Sequence, residues 1–282
     1  MSNVIAVLNG GLGNQLFQWA HGFAVSKALG KRLVLDISLN EVDHKRSFNL
    51  IDYHTNFKLL KKSYASLNRL GLMWHGLQTG PIVINETTEF AFTPIELIKA
   101  SNKDIVLKGY WQCPKYFEHE RKELLHQLNL KQTSANYYKY LPLVQQSNSI
   151  ALHVRRGDYV LDPTTNAFHG VCSMSYYVNA MQKLATLGIQ DKPIFIFSDD
   201  IEWCENQFSD WGKVTFISDL NDRESLQLMS KCKHQIIANS SFSWWAAWLN
   251  NNPDKQIMAP NKWLNTTLEP FELIPQNWHK IQ

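Results

Sequence analysis

From residue 150 onward, short runs of β-branched and aromatic residues alternate with longer stretches of helical spacing, and this order leaves few folds open. Strands are expected at residues 150–154, 194–197, 214–217, 235–238 and 256–258. Between them, helices are expected over about 175–187, 201–208 and 242–249, with another entered by Asn221, whose capping-box partner would be Glu224. A helix after each strand returns the chain to the same end of the sheet, so neighbouring strands pair in parallel. The second half therefore reads as a doubly wound, Rossmann-like domain.

The first forty residues hold one more such unit. Residues 4–8 read as a buried strand and 9–14 as a glycine loop. A helix over about 15–29 follows, because Leu16, Phe17, Ala20, Phe23, Ala24 and Ala28 recur at helical spacing. Gly30 is a fitting C-terminal stop, and residues 33–35 give a second strand. Residues 37–102 carry aromatic and basic side chains with weak periodicity and yield only fragments. Beyond them a strand is expected at 105–108 and helices at 116–127 and 136–146, the last despite Pro142. The polar stretch 145–149 suggests a boundary near Gln146. The expected fold class is α/β, with an N-terminal domain over 1–146 and a C-terminal one over 147–282.

Composition removes several functions. The 282 residues are 44% hydrophobic and 19% charged, which excludes a disordered chain. Lys and Arg number 28 against 25 Asp and Glu, a net +3 that gives no footprint for nucleic acid. The pairs Lys31-Arg32 and Lys61-Lys62 read as solvated surface charge. Cys113, Cys172, Cys204 and Cys232 are scattered, so neither a zinc cluster nor a disulfide framework is expected, and free thiols in a reducing compartment fit best. No stretch approaches the roughly 20 apolar residues of a membrane helix. Met1-Ser2-Asn3 leads straight into a strand without a leader pattern, so a cytoplasmic location is expected.

Three segments follow strands, where α/β folds bind ligands. The first is Asn9-Gly10-Gly11-Leu12-Gly13-Asn14-Gln15. Its glycines would let backbone approach a diphosphate, with the next helix offering free N–H groups. A plain tight turn is the competing reading, and the spacing fits G-x-G-x-x-G of dinucleotide enzymes badly. The second is His153-Val154-Arg155-Arg156-Gly157-Asp158-Tyr159. A guanidinium grips phosphate bidentately and is always charged, so Arg155 could neutralise a leaving diphosphate without a metal. An Arg–Asp pair that merely ties the loop is the alternative, most open for Arg156. The third is Asn239-Ser240-Ser241-Phe242-Ser243-Trp244-Trp245. Its serines suit a helix N-cap and, in the same geometry, a phosphate. Trp245 and Trp248 are expected in the core. After the strand at 194–197, Asp199 and Asp200 are candidates for guanine or ribose contacts, with capping of the next helix the competing role, equally open for Asp200 and less so for Asp199.

Together and in this order, the three segments resemble the α-1,2-fucosyltransferases of glycosyltransferase family 11. The resemblance covers nearly the whole chain, and His-x-Arg-Arg-x-Asp is also similar to the signature of α-1,6- and protein O-fucosyltransferases. It implies a GT-B-like fold, GDP-β-L-fucose as co-substrate with no cofactor and no metal, inversion at the fucose, and a galactose 2-hydroxyl in a β-galactoside oligosaccharide as acceptor. It further implies a bacterial protein without a membrane span that reaches lipid-linked glycan at most peripherally. Arg155 would hold the diphosphate, with Arg156 beside it, and His153 and Asp199 would contact guanosine. Gly10, Gly11, Gly13, Asn14, Asn239, Ser240, Ser241 and Phe242 would complete the donor site. Arg155, Asp158 and His153 are the expected catalytic residues, with Asp158 either the general base or only an arginine's partner. A transferase of another linkage, a carbohydrate-binding module using the tryptophans and a nicotinamide oxidoreductase are the rival readings.

Overall fold

The computed structural model of the chain describes residues 2–42, 47–60, 63–64, 80–86, 92, 102–146, 148–266 and 272–282. The Lys61-Lys62 pair and much of the weakly periodic stretch 37–102 lie outside them. Two compact units emerge, one of residues 1–131 with 270–273, the other of 132–269 with 274–282. The division precedes the boundary expected at Gln146, because the helix Ala135–Gln146 belongs to the second unit. Its buried face, formed by Tyr137, Tyr140 and Val144, anchors it there, whereas composition registers only the polar turn after it.

The first unit carries a parallel sheet of β1 (Asn3–Val7), β2 (Arg32–Asp36), β3 (Lys58–Leu59), β4 (Ile82–Asn85) and β5 (Ile105–Lys108), in the order β3-β2-β1-β5-β4. Strand order reverses between β1 and β5. Gln18 clamps the carboxyl ends of these two strands, accepting from Asn9 N at 2.9 Å and donating to the Gly109 carbonyl at 3.1 Å. The first helix, Leu12–Ala28, begins earlier than its apolar spacing suggests, since Gly11 in extended conformation already serves as its cap. Gly13 and Asn14 are thus helical, and the glycine turn shrinks to 9–11. Gly30 adopts φ +62° just past the helix, as a glycine stop should. The helix expected at 116–127 is shorter, Arg121–Gln127, because two 3-10 turns over Pro114–Tyr116 and Glu118–Glu120 precede it.

The second unit holds six parallel strands, β6 (Ile150–Val154), β7 (Ile194–Ser198), β8 (Val214–Ile217), β9 (His234–Ile236), β10 (Ile257–Pro260) and β11 (His279–Ile281). Their order, β11-β10-β9-β6-β7-β8, is that of a doubly wound nucleotide-binding sheet reversing between β6 and β9. β10 does not close the series as expected. β11 adds an edge strand whose sequence, His-Lys-Ile, is half-exposed and has no apolar run to announce it. The segment 155–173, expected as loop, contains two short helices, Gly157–Leu161 and Pro163–His169. Each is too short for a periodic signal, although the cap of Asp162 on Thr164 N at 2.9 Å with Pro163 behind it is a local one.

The core explains why the strand sequences are so apolar. Ile150, Leu152, Ile194, Ile196 and Ile236 pack with Tyr176, Tyr177, Ala180 and Leu184 of the helix Met174–Thr186. Parallel strands covered on both faces need this composition. Trp244, Trp245 and Trp248 are buried on the helix Ser241–Leu249, in line with the core role expected of the last two. Tyr176 Oη donates to the carbonyls of Ile237 at 2.6 Å and Met258 at 3.1 Å, tying the residue after β9 to β10. Among the described residues, no helix is long and apolar enough to cross a membrane.

Candidate active site

At the reversal of the second sheet, the carboxyl ends of β6 and β9 part, and β7 flanks them. A crevice there is the usual ligand site of an open parallel sheet. Three of the expected segments converge on it, since each follows one of these strands.

Arg155 leaves β6 and is held by two acids. Its Nη2 lies 2.6 Å from Asp158 Oδ1 and its Nη1 lies 2.6 Å from Asp199 Oδ2. The guanidinium carbon also sits 5.2 Å from the ring centre of Tyr159. The fork is thus oriented before any ligand arrives. Arg156 turns the other way. Its Nε bonds Asp200 Oδ2 at 2.8 Å and its guanidinium covers Trp203 at 4.1 Å, while its backbone N–H donates to Asp199 Oδ1 at 2.8 Å. Asp200 also caps the helix Ile201–Phe208 through Trp203 N, one of the two roles open to it from sequence. Asp199 therefore bridges Arg155 and the Arg156 backbone. Gly157 makes room for that bridge, because a Cβ at this position would meet Asp199 Oδ2 at 2.4 Å.

His153 is buried at the end of β6, with its ring 5.5 Å from Phe242 and its carbonyl accepting from Tyr177 Oη at 3.3 Å. Burial, and secondarily Arg155, lowers its pKa from 6.5 to about 3, so the imidazole is neutral at pH 7. Its Nδ1 is buried with no hydrogen-bond partner among the described residues. A buried, unsatisfied nitrogen typically costs about 1–3 kcal/mol, which a bound hydrogen-bonding group would relieve.

On the β9 side, Ser240 Oγ accepts from Phe242 N at 3.3 Å and caps the helix Ser241–Leu249, whose first-turn amides lie at the strand end. Asn239 looks inward instead. Its amide donates to the carbonyls of His169, Gly170 and Trp263 at 2.9, 3.3 and 3.2 Å. Its Oδ1 accepts from Cys172 Sγ at 3.5 Å, and burial pushes that thiol up to about 12, so it stays protonated. Asn239 is the clip that fastens the end of the two-helix segment to β9.

The model of the family described as Glycosyl transferase family 11 matches residues 3–281. The chain belongs to glycosyltransferase family 11. This family 11 transferase is 30% identical to an Escherichia coli alpha-1,2-colitosyltransferase, over 100% of both chains. It is also 24% identical to the human galactoside alpha-(1,2)-fucosyltransferase 1, over 86% of this chain and 64% of the human one. In structure it is similar to the NodZ alpha-1,6-fucosyltransferase soaked with GDP-fucose, with a TM-score of 0.51 over 88% of this chain and 92% of that one. At 13% identity this likeness concerns the fold, which is α/β and GT-B-like.

The remaining expected residues of the family 11 transferase lie in its first unit. Gly10 has φ +81°, a conformation that favours glycine, and its carbonyl accepts from Gln15 Nε2 at 2.9 Å and Asn40 Nδ2 at 3.1 Å. Gly11 caps the helix, Gly13 is buried in its first turn, and Asn14 Oδ1 accepts from Gln112 Nε2 at 2.9 Å. Of the rings that frame the two arginines, Tyr159 enters sequence reasoning only as the last residue of the second segment, and His169 and Trp203 escape it as site residues. Trp203 had a usable signal, three residues beyond Asp200 on a helix; His169 had none in a segment read as loop. Among the described residues, no three His, Cys, Asp or Glu side chains stand where they could share a metal ion.

Proposed function

We propose that this family 11 transferase moves L-fucose from GDP-β-L-fucose to the 2-hydroxyl of a galactose in a β-galactoside acceptor, with inversion to an α-1,2 linkage. The observation that carries the reading is the Arg155 fork, preset by Asp158 and Asp199 at the reversal of a doubly wound parallel sheet. As fucose departs with oxocarbenium character, negative charge grows on the diphosphate. A guanidinium and helix N-terminal amides already aimed there stabilise that charge more in the transition state than in the ground state. Losing one such donor typically costs about 3 kcal/mol, on the order of a hundredfold in rate. In this reading no metal is required, because Arg155 supplies the positive charge. His153 turns its neutral ring to the guanosine, Asp199 orients the arginine, and Ser240 and Ser241 present the helix end to phosphate.

The full-length similarity to an alpha-1,2-colitosyltransferase favours a second reading. Colitose is 3-deoxy-L-fucose, so the two donors differ by one hydroxyl. A site that hydrogen-bonds the 3-hydroxyl would reject colitose strongly, whereas an apolar pocket would discriminate weakly. Offering GDP-fucose and GDP-colitose in competition, with one β-galactoside, separates the readings. A product mixture dominated by fucose supports the first, and one dominated by colitose replaces it with the second.

A further inference from the structure

We propose that His169 is a positioning residue for Arg155, acting through the ring of Tyr159. The inference rests on the reading of Arg155 as the ligand of the diphosphate. Tyr159 and His169 lie on different short helices, yet their rings stack with planes parallel within 7° and centroids 4.6 Å apart. An aromatic face carries negative quadrupole, and the Arg155 guanidinium carbon lies 5.2 Å from the centre of the Tyr159 ring. The guanidinium is thereby fixed in three directions, by Asp158, by Asp199 and by this aromatic wall. Acids set where its nitrogens point, and the wall sets its plane.

His169 is itself anchored. Its carbonyl accepts from Asn239 at 2.9 Å, so a residue just beyond β9 anchors the backbone that carries the outer ring of the stack. Burial lowers the His169 pKa from 6.5, Asp158 opposing and Arg155 adding to the effect, so the ring is neutral at pH 7 and does not repel the arginine. Its role needs a flat, uncharged ring, and no proton transfer. A chain of contacts thus runs from Asn239 to His169, Tyr159 and Arg155, joining the two strand ends at the sheet reversal.

The test compares His169→Phe, which keeps a ring, with His169→Leu, which keeps the bulk and loses it. GDP binding by calorimetry and kcat/KM for donor are read at pH 7, with thermal unfolding to show that both variants fold. The phenylalanine variant is expected to stay within about threefold of wild type, and the leucine variant to lose about tenfold in both quantities, the scale of the Arg155–Tyr159 cation–π contact that an unbacked tyrosine ring would no longer hold in place. In an Arg155→Ala background, His169→Leu should have no further effect on GDP affinity. Equal behaviour of the phenylalanine and leucine variants, or a full His169→Leu penalty without the arginine, would overturn the proposal. If Arg155→Ala alone leaves GDP affinity unchanged, it is the reading of Arg155 that fails instead.

Discussion

Gly157 and Asp199 stand so close that a single methyl group does not fit between them: a Cβ on the glycine would lie 2.4 Å from Asp199 Oδ2. That oxygen is the one paired with Arg155 Nη1 at 2.6 Å. Gly157→Ala must therefore displace Asp199 and release the arginine fork, though no ligand-contacting group is removed. GDP affinity is expected to fall by about tenfold or more, the size of a charged hydrogen bond lost. Calorimetry on the folded variant checks this, and an unchanged affinity would show that Asp199 does not hold Arg155 for the nucleotide.

Asp158 carries two readings that kinetics can separate. As general base it would take the proton of the acceptor hydroxyl, so Asp158→Asn should abolish transfer while GDP binds almost normally and slow hydrolysis of GDP-fucose persists. As a partner of Arg155, at 2.6 Å, it would orient the fork. The substitution would then weaken GDP binding, transfer and hydrolysis together. Measuring the three quantities in one variant decides the matter, and the greater loss is expected in transfer.

Activity is expected to survive excess EDTA. Asp199 and Asp200, the only adjacent acids at a strand end of the second sheet among the described residues, are committed to Arg155 and Arg156. Charge on the diphosphate then falls to Arg155. A collapse of rate on chelation, restored by Mg²⁺ or Mn²⁺, would reverse this expectation.

Buried histidines make acid stability a separate test. His21 lies in the first unit with its ring 4.5 Å from Trp111 and 4.4 Å from Tyr116, and burial lowers its pKa from 6.5 to about 3. Below pH 6.5 the unfolded chain takes up a proton there that the folded chain refuses. The contribution to stability is complete above 6.5 and is lost as the pH falls toward 3. His21→Phe keeps the ring contacts and removes the titration. Urea midpoints should fall less steeply over that window in the variant than in wild type, and equal slopes would contradict the assignment.

Much of this architecture was legible because parallel strands covered on both faces must be written as apolar runs, as at Ile150, Leu152, Ile194 and Ile196. The same reason places Arg155, Asp199 and Ser240 at strand ends from the sequence alone. β3, β4 and β11 leave no such mark, being two to four residues long and partly exposed, with no apolar period. Asn239 carried a motif signal, but the carbonyls that occupy its amide come from segments 24 to 70 residues away. His169 was invisible for a related reason, since only the folded chain brings its ring to Tyr159.

The most direct measurement is the linkage formed when the protein is incubated with GDP-fucose and a panel of β-galactosides, read by NMR, with Arg155→Ala and Arg155→Lys alongside. An α-anomeric fucose on the galactose O2 is expected from wild type. Arg155→Ala should lose the product by about a hundredfold or more, and Arg155→Lys should recover little, because a point charge cannot reproduce the planar fork. Fucose at another position, or wild-type turnover in either arginine variant with its fold intact, would contradict the account.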